Sequence, residues 1–220
     1  MHIRDIKNKL PESLYKELSS SVKELRPCQE KAIKSGLLDS RNVLVCSPTA
    51  SGKTLVAEMA CMQAIMQKGK KAIYIVPLTS LANEKSRDFR KRYGKMARIA
   101  LSIGDIDSAD PYLADYDLII TTSEKLDSLI RHSAPWLGSA GVVVADEVHL
   151  MNDPGRGPTL EIILTMMRKL VPSVQTVCLS ATIGNPKELA EWLEAELVYD
   201  EWRPVKLKKG VYFDGEVEFG

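Results

Sequence analysis

Short apolar, β-branched runs alternate with longer amphipathic segments along almost the whole chain. The runs lie at 42–46, 71–76, 97–102, 117–121, 142–146, 175–179 and 196–199. The stretches between them predict helices over 53–67, 78–93, 123–132, 159–170 and 186–194. The runs are nearly continuous in apolar residues rather than alternating, the pattern of strands covered on both faces. Strand, helix, strand in repetition predicts βαβ units with right-handed crossovers. The expected fold is therefore α/β: one doubly wound domain over residues 25–200, with a mostly parallel sheet of about seven strands and helices on both faces.

Residues 1–24 read as a helical lead-in, because Leu14, Leu18, Val22 and Leu25 fall at helical spacing. Residues 201–220 alternate instead, through Val205, Leu207, Val211, Phe213, Val217 and Phe219. They read as extended segments, a linker that starts the connection to a further domain.

Composition narrows the function. With 45% apolar residues and 30 basic against 29 acidic side chains, net charge +1, the chain is neither disordered nor a bulk polycation. Its apolar runs are far short of the ~20 residues that span a bilayer, and no signal-peptide core precedes them. A cytoplasmic protein with no membrane partner is expected, or a nuclear one in a nucleated cell. Cys28, Cys46, Cys61 and Cys178 are too scattered for a thiol metal site, as are His2, His132 and His149. The cysteines read as small buried hydrophobes.

The strongest local signal is Ser47-Pro48-Thr49-Ala50-Ser51-Gly52-Lys53-Thr54, between an apolar strand and a helix. Small residues let backbone N–H groups wrap phosphates at a helix N-terminus. Lys53 would reach the β- and γ-phosphates, and the Thr54 hydroxyl would ligate Mg²⁺. The first position is Ser47 where the phosphate-loop pattern has glycine. A second signal is Asp146-Glu147-Val148-His149, closing an apolar strand where α/β folds bind ligands. Asp146 suits Mg²⁺, through water, and Glu147 suits activation of an attacking water.

With both sites in place, the segment 146–149 resembles the D-E-x-H box of superfamily II helicases, and other segments agree. Arg26-Pro27-Cys28-Gln29 resembles the R-P-x-Q element whose glutamine, here Gln29, reads adenine. Segments 77–85 and 121–125 resemble motifs that touch the nucleic-acid backbone. Ser180-Ala181-Thr182 resembles the motif coupling hydrolysis to strand movement. Segments 152–161, 180–186 and 201–205 are similar to a narrower branch, the archaeal fork-repair and Holliday-junction-migration DNA helicases. Thr79 stands where those relatives commonly carry arginine.

The resemblance covers nearly the whole chain and implies the first RecA-like domain of a DExH-box motor, an ATP hydrolase with ATP and Mg²⁺ as cofactors. It implies catalytic roles for Lys53, Asp146, Glu147 and His149, with His149 bridging to the Ser180/Thr182 segment. It implies contacts to single-stranded or forked DNA from Pro77, Thr79, Thr121, Thr122 and Arg156. The basic run Lys85, Arg87, Arg90, Lys91 and Arg92 reads as a solvated helix face. The motor closes ATP against a second RecA-like domain with its own arginines, so this chain alone is expected to turn over slowly and not to unwind. The other readings are an RNA helicase of the same branch, a non-catalytic nucleotide switch and a small-molecule kinase. The intact Lys53, Thr54, Asp146, Glu147, Ser180 and Thr182 argue against the switch. The kinase reading leaves residues 77–85 without a role.

Overall fold

In the computed structural model, which describes residues 1–104, 109–205 and 210–219, a seven-stranded parallel sheet carries helices on both faces. The elements are α1 (Glu12–Ser21), α2 (Pro27–Lys34), β1 (Val43–Cys46), α3 (Lys53–Lys68), β2 (Lys71–Val76), α4 (Thr79–Tyr93) and β3 (Ile99–Ser102). There follow β4 (Leu118–Thr122), α5 (Ser123–Arg131), β5 (Ala140–Ala145), α6 (Gly157–Leu170), β6 (Gln175–Ser180), α7 (Pro186–Trp192) and β7 (Glu196–Tyr199). The strand order is β3-β4-β2-β5-β6-β1-β7.

The two-residue period of a strand divides each apolar run between two cores. Val43 and Val45 of β1, Tyr74 of β2 and Val142 and Val144 of β5 face one side, which α3 and α4 cover. Leu44, Ile73, Ile75, Val143 and Cys178 face the other, packed with Ile163 and Leu164 of α6. Parallel strands buried on both faces must be apolar throughout, which is why these runs do not alternate. All four cysteines are buried with free thiols; burial pushes Cys178 up to about 12.

The lead-in is more than one helix. A 3₁₀ stretch, Ile3–Lys9, precedes α1, and Leu14, Leu18 and Leu25 bury in the same core as the sheet. The short helix α2 was not legible as a helix in the sequence. Val205, among the alternating residues of the C-terminal segment, is exposed, and Leu207 lies outside the described residues. Beyond them, β8 (Gly210–Phe213) and β9 (Glu216–Phe219) form an antiparallel hairpin around Asp214-Gly215. Both turn residues have positive φ, 45° and 86°, as a two-residue hairpin turn requires. Among the described residues, no helix is long and apolar enough to cross a membrane.

Candidate functional site

Only β6 separates β1 from β5, and in this parallel sheet all three end at the same edge. The loop after Cys46 and the acidic turn after Ala145 therefore open onto one cleft. Its cavity of about 360 Å³ is lined by Gly52, Lys53, Thr54, Lys85, Asp146 and Glu147, among others.

The loop is held from within. The Ser47 amide donates to the Ser180 carbonyl at 3.2 Å, extending the sheet, and the Ser47 and Ser51 hydroxyls meet at 2.8 Å. Ala50 and Gly52 take left-handed backbone, φ 64° and 98°. Lys53 opens α3 and folds its ammonium back, donating to the carbonyl oxygens of Ser47 at 2.6 Å and Pro48 at 3.1 Å. Burial pushes the Lys53 pKa down, while the Glu147 and Asp146 carboxylates pull it the other way. Pro48 is buried and Thr49 exposed at the loop's crest.

Gln29 is only 4% exposed. Its amide is engaged at both ends: Oε1 accepts the Arg26 amide proton at 2.9 Å and Nε2 donates to the Gly52 carbonyl at 2.9 Å. The side chain expected to face a base thus braces the loop here. Arg26 adds a bond from its guanidinium to the Ala50 carbonyl at 2.6 Å and lies 5.7 Å from the Trp202 ring centroid.

Across the cleft, Asp146 continues β5: its amide donates to the Ile75 carbonyl at 2.9 Å. Oδ1 accepts the Glu147 amide proton at 3.0 Å, and Oδ2 accepts the Tyr74 phenol at 2.8 Å. Lys85 reaches the same oxygen at 3.5 Å and donates to the Thr54 hydroxyl at 3.2 Å. Glu147 is left-handed, φ 54°, which turns the chain sharply after the strand. His149 Nδ1 accepts the Ala181 amide proton at 3.3 Å and stands 3.3 Å from Glu147 Oε2. One nitrogen serves the amide when unprotonated and the carboxylate when protonated. His149 thus links the acidic turn to the 180–182 segment through backbone, not through the Ser180 or Thr182 hydroxyl. Ser180 Oγ is buried against the Cys46 thiol, and Thr182 is exposed.

The expected nucleic-acid contacts divide. Thr79 and Ser80, at the start of α4, are exposed, and Pro77 is half-buried. Arg156 lines a small cavity with Pro77, Glu124, Asp146 and Glu147. Thr121 is fully buried and its hydroxyl donates to the Thr122 carbonyl at 3.4 Å. Thr122 caps α5 by accepting the Lys125 amide proton. The strand end turns both hydroxyls into the protein.

The basic run on α4 is also not one solvated face. Arg87, Arg90 and Lys91 are exposed, Arg90 also holding the Ile99 carbonyl, but Arg92 pairs with Glu58 at 2.8 Å and Lys85 points into the cleft. Sequence reasoning missed Tyr74, the one side chain of β2's apolar run that carries a hydroxyl.

A model of the DEAD/DEAH box helicase family matches residues 26–189. The chain is 54% identical over 205 residues to the ATP-dependent DNA helicase Hel308 of Methanocaldococcus jannaschii, covering 90% of this chain and 17% of that protein. It is 50% identical over 196 residues to Hel308 of Pyrococcus abyssi, covering 89% and 27%. The crystal structure of the DUF1998 helicase MrfA bound to DNA superposes with a TM-score of 0.74 at 25% identity, over 88% of this chain and 30% of that one. The chain therefore spans less than a third of the length of these relatives.

Proposed function

The chain belongs to the DEAD/DEAH box helicase family, and from that membership we propose that it is the ATP-binding first motor domain of an ATP-dependent DNA helicase. Hydrolysis would drive translocation on single-stranded DNA and duplex unwinding, in repair or recombination. The observation that carries this reading is the convergence of Lys53, Thr54, Asp146 and Glu147 on one cleft from separate strand ends.

The residues fit a magnesium–triphosphate unit. Lys53 has carbonyl partners that a phosphate can replace, and Gly52 and Ala50 supply the backbone curvature of an anion-wrapping loop. Thr54 and Asp146 offer hard oxygens. Among the described residues, no three His, Cys, Asp or Glu side chains gather as a resident metal site. Mg²⁺ commonly binds through one or two protein oxygens and completes its shell with water and phosphate, so it is read as arriving with the nucleotide. Bound there, the metal would neutralise charge building on the phosphates.

The chain's own residues do the rest. Lys53 stabilises the β- and γ-phosphate oxygens, and residues 47–52 line them with small side chains. Glu147 orients the attacking water and takes its proton. His149 passes the state of that carboxylate to Ala181 and so to the 180–182 segment. Gln29 serves adenine by exchanging one of its loop bonds for the base. Pro77, Thr79, Thr121, Thr122 and Arg156 are the candidate strand contacts, gripping phosphates without reading bases.

Residues 25–200 form the motor domain in this reading, with 1–24 as lead-in and 201–220 as the start of the connection onward. The relatives' greater length leaves room for the second RecA-like domain that closes the site. An arginine finger raises turnover ~10³–10⁵-fold where one acts, so the isolated chain should hydrolyse slowly. The names of the relatives favour DNA over RNA as the track. The test is ATPase stimulation of the protein at its relatives' length by matched DNA and RNA oligomers. Stimulation by DNA supports the reading; stimulation by RNA alone replaces it with an RNA helicase.

A further inference from the structure

Lys85 is the cation that occupies the ground between Thr54 and Asp146. It leaves the second turn of α4 with its side chain 17% exposed, and its Nζ lies 3.2 Å from Thr54 Oγ1 and 3.5 Å from Asp146 Oδ2. The Tyr74 ring centroid is 5.8 Å away and closes the inner side. A lysine on a solvated face would instead extend into water, as charged side chains with no buried partner do. Thr54 and Asp146 are also the residues proposed to hold Mg²⁺, Asp146 through water. An ammonium hydrogen-bonded to Thr54 and ion-paired with Asp146 competes with that ion for the same ground and repels it.

We propose that Lys85 is a tethered counter-cation, holding the Thr54 and Asp146 oxygens and giving them up when a divalent cation enters. This rests on the reading of Thr54 and Asp146 as the metal's ligands. Lysine chemistry fits such an exchange, because a flexible four-carbon stem carries a point charge that can withdraw without dismantling its surroundings. While Lys85 is in place, Asp146 stays paired and aimed, since Tyr74 and the Glu147 amide hold its other contacts. The lysine belongs to the helix whose exposed first turn, Thr79 and Ser80, is the candidate strand contact. Metal entry and strand binding thus act on one rigid element.

The test uses metal alone and then metal with nucleotide. Mn²⁺ binding to the nucleotide-free chain is read by electron paramagnetic resonance for wild type, Lys85→Met, Lys85→Gln and Lys85→Arg. The Mg²⁺ midpoint for binding a fluorescent, slowly hydrolysed ATP analogue is read for the same set and for Asp146→Asn. Both uncharged variants should bind Mn²⁺ at least about tenfold more tightly than wild type and lower the Mg²⁺ midpoint, while Lys85→Arg stays near wild type. Lys85→Gln keeps a polar side chain, so the result does not depend on how well the Met variant folds. Unchanged or weaker metal binding in both uncharged variants overturns the proposal. Asp146→Asn keeps the two questions apart. If it abolishes the Mg²⁺ dependence while the Lys85 variants change nothing, the metal reading stands and the counter-cation fails. If it leaves that dependence intact, the metal reading itself is wrong.

Discussion

Tyr74 donates its phenolic proton to Asp146 Oδ2 at 2.8 Å, joining residues 72 positions apart. The bond fixes the acid at the end of β5 from the neighbouring strand β2. Burial, and then the Asp146 charge, hold the Tyr74 pKa well above its ordinary value, so the phenol stays a donor throughout the working pH range.

Tyr74→Phe removes that donor and nothing else of size. Hydrogen bonds to charged groups are worth about 1.5–3 kcal/mol, so denaturant unfolding should show a loss in that range. The acid also loses its fixed aim, and the Mg²⁺ requirement for nucleotide binding should rise. Unfolding and metal titration unchanged from wild type would mean the bond does not hold the acid.

Gly52→Ala tests the loop's shape. A Cβ there would collide with Gln29 Nε2 and lie 3.0 Å from Arg26 Cδ, on backbone at φ 98°. The left-handed conformation alone costs a residue with a side chain roughly 1–2 kcal/mol. Thermal unfolding should fall accordingly, and nucleotide affinity should drop further, because Gln29 must leave the Gly52 carbonyl to make space. Wild-type affinity in this variant would show that the observed loop is not the one that binds.

Leu18→Ala tests how the lead-in is attached. Leu18 is fully buried in the core that also contains Val43, Val142 and Val177 of the sheet. Truncation should cost about 2–5 kcal/mol in a single cooperative unfolding transition. A separate early transition for residues 1–24 would instead make the lead-in an independent unit.

The sheet could be read from the sequence because strands buried on both faces leave a continuous apolar signature. β5 begins at Ala140, two residues ahead of the expected start, since Ala140 and Gly141 are small and carry little β signal. The phosphate loop and acidic turn were legible as local patterns, and the topology supplied their meeting. What stayed hidden depends on neighbours distant in sequence. Lys85 looks like one more charge on a basic helix, and only the packing of α4 beside β2 turns it toward Thr54 and Asp146. Gln29 and Thr121 carried the right residue types, but the directions of their hydrogen bonds are set by the Gly52 loop and the α5 cap.

The most direct test of the shared site compares Lys53→Ala with Glu147→Gln in the protein at its relatives' length. Binding of a slowly hydrolysed ATP analogue and single-turnover hydrolysis are measured side by side. Lys53→Ala should lose binding. Glu147→Gln should bind as wild type and hydrolyse at least roughly a hundredfold more slowly, the scale of a lost general base. Equal loss of binding in the two variants, or wild-type hydrolysis by Glu147→Gln, would contradict a single cleft in which one residue holds the phosphates and the other activates the water.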